Sequence, residues 1–133
     1  MSVKLWFPVF VLLFTSNVIA DSCPTPEEIR DRTISKQYEW TVDENTTLKE
    51  LLAVKQLYAV RIMDYGDYVS CRYSTKQWPV TLDGKPKGRD CELTPLAGEW
   101  TSTDSGHLVC REKEVTQCGF KFDCKDTAGD QDD

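Results

Sequence analysis

The sequence predicts an α+β fold in which a short N-terminal helix packs on an antiparallel sheet that disulfide bonds hold together. Three observations lead to this prediction: a helix-capping motif near the start of the domain, several short segments in which apolar and polar residues alternate, and six cysteines. A helix followed by many short strands is typical of α+β domains, whereas parallel α/β folds alternate strands with helices along the chain.

The N-terminal helix is predicted from the motif TPEE, which begins at Thr25. The Thr25 hydroxyl can accept the amide proton of Glu28, the Glu28 carboxylate can accept the amide proton of Thr25, and Pro26 suits the first helical position. We therefore expect a helix over residues 26–34. A second short helix, capped by Thr46 or Thr47, is expected over residues 47–54.

The centre of the sheet is predicted over residues 59–81. Within it Val69, Cys71 and Tyr73 occupy alternate positions, so the three side chains should fall on one face of a strand. The segment MDYGD before this strand carries the aspartates and glycine that favour a tight turn. These features indicate a hairpin.

Other strands are expected on both sides of this hairpin. They cover residues 38–42, 107–111 and 116–122. Residues 78–82 and 91–93 flank the segment DGKPKGRD, which has the composition of a hairpin loop. Pro79 should make its strand an edge strand or interrupt it, because proline cannot donate a hydrogen bond to the sheet.

The first 20 residues have the pattern of a secretory signal peptide. Lys4 precedes a ten-residue apolar run, LWFPVFVLLF, which is too short to span a membrane. We expect cleavage after Ala20, which leaves one domain over residues 21–126 and an acidic, disordered tail over residues 127–133. The mature protein should therefore be exported to the periplasm or the extracellular space and should carry no membrane anchor.

The charge balance argues against nucleic acid as a partner. The full chain has a formal net charge of −6, and loss of Lys4 with the signal peptide would leave 15 basic and 22 acidic residues. A net negative chain is poorly suited to bind the phosphate backbone through its overall field.

The cysteines are expected to form disulfides. An even number of cysteines in a small exported chain is typical of a disulfide framework. They are Cys23, Cys71, Cys91, Cys110, Cys118 and Cys124. A metal site is the alternative, but the sequence has no C-x-x-C pair and a single histidine, so we predict neither metal nor cofactor. The sequence leaves the pairing open; Cys118 and Cys124 could close a small loop, and Cys71 and Cys91 could join neighbouring strands.

Several spaced residues carry a resemblance. The mature chain opens with CPTP, a strand holds Cys71 and Tyr73 as C-x-Y, and Cys118 and Phe120 form a closing C-x-F. In these features the chain resembles a family of small exported proteins of Gram-negative bacteria whose function is unknown. The resemblance implies a periplasmic or secreted domain and supplies no catalytic residues. The acidic tail and the long polar segment between Cys91 and Cys110 depart from the family's pattern.

Two sets of residues contain the residue types of a catalytic site. His107 has Ser102, Asp104 and Ser105 close in sequence, but triad members must converge in space and seldom come from one loop. Asp64 and Asp67 have the chemistry of a glycosidase pair, although their turn explains them more simply. We predict no catalytic residue.

A binding function is the main prediction. Lys85, Lys87 and Arg89 form a basic cluster in an acidic protein, which would attract an acidic partner or simply keep a loop soluble. Aromatic residues that prove to be exposed together would mark a binding face. The candidates are Tyr65, Tyr68, Tyr73, Trp78 and Trp100. Asn45, in the sequence NTT, is a glycosylation acceptor only in a eukaryotic host.

The sequence thus predicts a secreted or periplasmic, non-enzymatic binding domain whose partner is an unknown protein or glycan. A small secreted hydrolase that uses His107 or paired carboxylates is the alternative, and a structural component of the cell envelope is a third.

Overall fold

Two antiparallel sheets form the framework of the protein in a computed structural model that describes residues 19–88, 90–103 and 105–125. The strands are β1 (Tyr38–Val42), β2 (Gln56–Met63), β3 (Tyr68–Ser74), β4 (Val80–Pro86), β5 (Cys91–Ala97), β6 (Thr101–Ser102), β7 (Leu108–Cys110) and β8 (Gly119–Cys124). One sheet has the order β1-β4-β3-β2-β7-β6, and the other pairs β5 with β8. The predicted antiparallel, disulfide-linked sheet is confirmed.

Two short helices begin at the predicted capping motifs. The first, α1 (Pro26–Asp31), starts at Thr25, whose hydroxyl accepts the Glu28 amide at 3.0 Å while the Glu28 carboxylate accepts the Thr25 amide at 2.9 Å. It ends earlier than residue 34 because Arg32 adopts a left-handed conformation, with φ at 60°. The second, α2 (Leu48–Leu52), has the same reciprocal capping at Thr47. A 3-10 turn at Val115–Gln117 precedes β8.

The central hairpin lies where the sequence places it. The turn between β2 and β3 carries Asp64, Tyr65 and Gly66 at φ values of 50°, 58° and 98°, and the Gly66 amide donates to the Met63 carbonyl at 3.0 Å. Val69, Cys71 and Tyr73 of β3 are each fully buried, as predicted, but Ser70 on the opposite face is also buried, so β3 alternates only in part.

The predicted hairpin at DGKPKGRD is wrong. β4 continues through Asp83, Gly84, Lys85 and Pro86 and pairs with β1, while β5 belongs to the other sheet. Gly84 serves close packing instead of a turn, because a Cβ atom there would collide with the ring of Trp40 on β1.

Pro79 acts as a strand boundary. β4 begins directly after it at Val80, so the prediction that proline would interrupt the strand is confirmed. The alternative that this strand lies at the edge is wrong, because β4 lies between β1 and β3. Proline costs little here since it stands before the first paired residue.

The core joins the two sheets. Leu93 of β5 and Phe120 of β8 belong to the same cluster of buried side chains as Val60 and Tyr73 of the larger sheet. Ile29 of α1 also belongs to this cluster and is buried. The Leu93 amide donates to the Gly66 carbonyl at 2.9 Å, which connects β5 to the central turn.

All six cysteines are paired, as predicted. The bonds are Cys23–Cys71, Cys91–Cys124 and Cys110–Cys118. The two possible pairings named from the sequence, Cys118 with Cys124 and Cys71 with Cys91, do not occur. Cys118 and Cys124 stand at opposite ends of the extended β8, about 20 Å apart at the rise of a strand. Cys71 and Cys91 lie in different sheets.

The predicted ends of the domain fall mostly outside the described residues. Most of the signal peptide, residues 1–18, and nearly all of the C-terminal end, residues 126–133, lie there. Cleavage after Ala20, the single domain over residues 21–126 and the disordered tail over residues 127–133 stay predictions.

Candidate binding surface

His107 forms hydrogen bonds that connect two loops. Its Nδ1 accepts a hydrogen bond of 3.1 Å from the Asp64 amide, and its carbonyl oxygen accepts one of 2.9 Å from the Thr103 amide. The ring therefore fixes the β2–β3 turn to the loop before β7. Among the described residues, neither Ser102 nor Ser105 bonds to the imidazole; Asp104 lies outside them.

The two turn aspartates have different local environments. Asp64 adopts a positive φ within the turn, and the Asp67 carboxylate lies 3.4 Å from the ammonium group of Lys85. Both aspartates are exposed. Their positions fit the turn-forming role, since short polar side chains tolerate the left-handed region.

The predicted basic cluster is surrounded by acids. Lys85 and Lys87 line a shallow cleft of about 460 Å³ together with Glu39, Asp67 and Asp90. The exposed pair between Lys85 and Asp67 is worth little to stability but reduces the local positive potential. Arg89 lies outside the described residues, so binding by this cluster stays a prediction.

The candidate aromatic residues separate into three environments. Tyr73 is buried, and its hydroxyl donates to the Pro24 carbonyl at 2.6 Å. Tyr68 and Trp100 are partly buried, and the Trp100 indole nitrogen donates to the Ala97 carbonyl at 2.9 Å. Tyr65 and Trp78 are 80% and 69% exposed. They do not share a cleft: Tyr65 lines one with His107, and Trp78 lines another beside α2.

Trp78 lies in the connection between β3 and β4, which a local hydrogen-bond pattern shapes. The Thr75 hydroxyl donates to the Trp78 carbonyl at 2.6 Å and accepts the Gln77 amide at 3.0 Å. Such bonds from a threonine side chain to nearby backbone stabilise a tight turn. They place a large, exposed indole on a defined loop.

The opposite wall of this cleft comes from α2 and the segment that follows it. Thr47, Lys49, Glu50 and Ala53 line the wall, and the cleft has a volume of about 610 Å³. The Lys55 amide donates to the Ser74 carbonyl at 2.8 Å, which fixes the end of β3 to the residue just before β2. The two walls are therefore joined at their base. We call this space the Trp78 cleft.

Three lysines give the Trp78 cleft a positive character. Lys49, Lys55 and Lys76 line it and are exposed, and Glu50 is the acid among its lining residues. In the described part of the chain, none of the three lysines forms an ion pair. Three exposed lysines grouped on a chain of net charge −6 give this surface more positive charge than the chain average.

Sequence reasoning identified Trp78 but missed the lysines. Lys49, Lys55 and Lys76 are spread over 28 residues with no repeated spacing, and each comes from a different segment. The pairing of β2 with β3, in which Gln56 lies opposite Ser74 and the Lys55 amide donates to the Ser74 carbonyl, brings the last two of these segments together. The pairing register of β2 with β3 would have revealed this proximity if it had been predicted as far as the ends of both strands.

The described residues contain no group of three or more histidine, cysteine or carboxylate side chains placed to hold a metal ion. The same part of the chain holds no helix with the length and apolar character needed to cross a bilayer.

Comparisons of the chain with protein-family models, with curated proteins and with solved structures found no match. The resemblance to exported proteins of Gram-negative bacteria therefore stays a prediction.

Proposed function

We propose that this protein is an exported, non-enzymatic binding domain that recognises an acidic segment of a protein partner in the Trp78 cleft. The observation that carries the proposal is the exposed indole of Trp78, which lines one concave surface together with three exposed lysines. The proposal keeps the expectation of a periplasmic or extracellular protein, in line with the exported proteins of Gram-negative bacteria that the sequence resembles.

The exposed indole supports a binding role. Tryptophan is enriched among the few residues that contribute most to protein–protein affinity, because it buries a large area and also offers one hydrogen-bond donor. Burying an exposed tryptophan against a partner removes apolar surface from water, which is favourable. Trp78 is 69% exposed in the isolated chain, so most of that gain is still available.

The three lysines favour a partner with negative charge. Lys49, Lys55 and Lys76 lie around the indole, and complementary charges speed association and exclude partners of like charge. An acidic peptide segment satisfies both features at once, since its carboxylates meet the ammonium groups while one apolar side chain meets the indole.

A rigid scaffold supports the same role. The disulfide Cys23–Cys71 joins the segment before α1 to β3, and the Tyr73 hydroxyl bonds to Pro24 in the same region. In our proposal these links hold α1 against the larger sheet. A surface that is ordered before binding loses less conformational entropy when the partner arrives.

The oxidised cysteines favour export. Disulfides persist in the periplasm and outside the cell, whereas the cytosol keeps thiols reduced. Cleavage after Ala20 would also preserve the first contact of the domain, because Asp21 exchanges two backbone hydrogen bonds with Phe120, at 2.8 and 3.0 Å. Mass spectrometry of the exported protein should find Asp21 as the first residue. An intact Met1 would contradict the proposed processing.

Binding assays with charge-reversed variants test the cleft. The mature domain should bind immobilised poly-glutamate, and Lys49→Glu/Lys55→Glu/Lys76→Glu should lower the affinity at least tenfold, since three attractive charges become repulsive. Trp78→Ser should lower it about tenfold through the lost apolar contact. Raising the salt concentration should weaken binding of the unmodified domain, because exposed charges are screened.

Matched controls use residues outside the cleft. Lys36→Glu/Lys113→Glu/Lys125→Glu changes the net charge by the same amount at three exposed positions, and Tyr65→Ser removes an equally exposed aromatic ring. Both should bind poly-glutamate nearly as the unmodified domain does. An equal loss in both charge-reversed triples would refute a specific cleft. Binding of polygalacturonate without poly-glutamate would overturn the choice of a protein partner and favour a glycan.

A further inference from the structure

A second concave surface lies on the other side of α2 and has the opposite character. Nine residues from α1, β1, α2, β4 and the segments next to them line a cleft of about 390 Å³, and eight of the nine are apolar. Volumes of this size, with mostly apolar walls and few polar groups, are typical of sites for small molecules. We call this space the apolar cleft.

The apolar cleft has a buried floor and an open rim. Ile29 of α1 and Leu82 of β4 are each 3% exposed and form the floor. Trp40 and Leu51 are partly buried walls, and Leu48 at the rim is 54% exposed. A leucine left this exposed beside other apolar side chains indicates that the surface is available to an apolar ligand.

One charge stands at the rim. Arg32 is the single charged residue among the nine that line the apolar cleft, and it is exposed. Its amide donates to the Ile29 carbonyl at 3.3 Å and its φ is 60°, so the end of α1 fixes the backbone from which the side chain extends. Within the described ranges its guanidinium group forms no ion pair.

This combination specifies the chemistry of a ligand. A guanidinium group binds a carboxylate through two parallel hydrogen bonds, while the apolar walls bind a hydrocarbon chain. We propose that the apolar cleft binds a free, monomeric carboxylate with a medium-length alkyl chain, and that Arg32 holds its head group at the rim. This site is separate from the Trp78 cleft and does not depend on the proposed function.

Calorimetric titration with decanoate, below its micelle-forming concentration, tests the proposal. Decanoate should bind the oxidised mature domain, whereas acetate, which lacks the chain, should show no binding. Decyltrimethylammonium, which has the same chain and a positive head group, should bind at least tenfold more weakly, because Arg32 repels its charge. Trp40 lines the cleft, so the intrinsic fluorescence should change with the same affinity.

Two variants separate the head-group contact from the chain contact. Arg32→Gln should weaken decanoate binding about tenfold through loss of a charge-assisted pair, and it should also remove the discrimination against the cationic amphiphile. Leu48→Ser should weaken the binding of both ligands, because it removes apolar surface from the rim. Leu48 is exposed, so this change should leave the fold intact, which near-ultraviolet circular dichroism can verify.

The controls lie elsewhere on the surface. Leu96→Ser removes another exposed leucine and Arg111→Gln another exposed arginine, and neither residue lines the apolar cleft. Both variants, and Trp78→Ser, should bind decanoate as the unmodified domain does. Equal affinity for the two amphiphiles, no binding of monomeric decanoate, or binding only to anionic lipid vesicles would each overturn the proposal.

Discussion

Tyr73 connects β3 to the start of the domain through its buried hydroxyl. The ring is fully buried, and the hydroxyl donates to the Pro24 carbonyl, which is itself buried. Burial, and then the charge of Glu28, raise the pKa of Tyr73 far above its usual value of 10.0. Burial and a hydrogen bond of 2.8 Å to Asp21 raise the pKa of Tyr38 in the same direction. Both phenols therefore stay neutral in the folded protein.

These shifts predict a loss of stability at alkaline pH. Below pH 10 the folded and unfolded states both hold these protons, so the contribution of the two tyrosines to stability is fully present. Above pH 10 the unfolded state ionises first, and the free energy of unfolding should fall by about 1.4 kcal/mol per pH unit for each tyrosine. Urea unfolding between pH 8 and about pH 11, without added thiol, measures this slope.

Tyr73→Phe tests whether Tyr73 causes part of the fall in the free energy of unfolding at alkaline pH. The free energy of unfolding of the variant should be lower by about 1–3 kcal/mol at neutral pH, because the buried Pro24 carbonyl loses its hydrogen-bond donor. Above pH 10 the free energy of unfolding of the variant should fall less steeply with pH, by about 1.4 kcal/mol per pH unit, because one ionising group is missing. Tyr58→Phe, at an exposed tyrosine, controls for the loss of a hydroxyl as such. An unchanged slope in Tyr73→Phe would contradict the role given to this residue.

At the scale of elements, the two sheets differ in how their disulfides are protected. Cys91 and Cys124 are direct partners in the β5–β8 register, at one end of the small sheet, and Cys124 is exposed. The other four cysteines are each no more than 1% exposed. Since thiol–disulfide exchange requires access of the attacking thiolate to a sulfur atom, the three bonds should differ in their rates of reduction.

We expect Cys91–Cys124 to be reduced first. Under a limiting amount of reductant at neutral pH, alkylation and peptide mass spectrometry should find label on Cys91 and Cys124 before any other pair. The larger sheet should remain folded at that stage, because neither cysteine belongs to it. Labelling of Cys23 or Cys110 at a comparable rate would show that access does not decide the order.

For the whole molecule, stability depends on which chain segments the disulfides join. Cys23–Cys71 links residues 48 apart, whereas Cys110–Cys118 links residues 8 apart. A bond that closes a longer loop removes more conformational freedom from the unfolded chain. The first bond should therefore contribute more to the free energy of unfolding.

Paired alanine substitutions measure this difference. Cys23→Ala/Cys71→Ala should destabilise the domain by about 4 kcal/mol and Cys110→Ala/Cys118→Ala by about 2.5 kcal/mol, from loop length alone. All four positions are buried to the same extent, so the two variants are matched in the packing they lose. Denaturant unfolding gives both values. A reversed order would show that the bonds act mainly through the folded state.

Features set by residues close together in the sequence could be predicted, whereas features set by distant residues could not. The capping boxes at Thr25 and Thr47, the turn at Gly66 and the buried face of Val69, Cys71 and Tyr73 are set by residues within a few positions of one another. The partner of Cys71 and the environment of Gly84 depend on residues far along the chain, so the composition of the DGKPKGRD segment wrongly predicts a hairpin loop.

The sequence by itself determined the capped helices, the central hairpin and the oxidised cysteines, because local hydrogen bonding, period-two burial and redox chemistry act on short segments or on composition. Only the tertiary structure decided which cysteines pair, that β4 lies inside the sheet, and that Trp78 meets Lys49, Lys55 and Lys76 in one cleft. Those outcomes depend on strand order and on the packing of distant segments, and no local pattern in the chain encodes either.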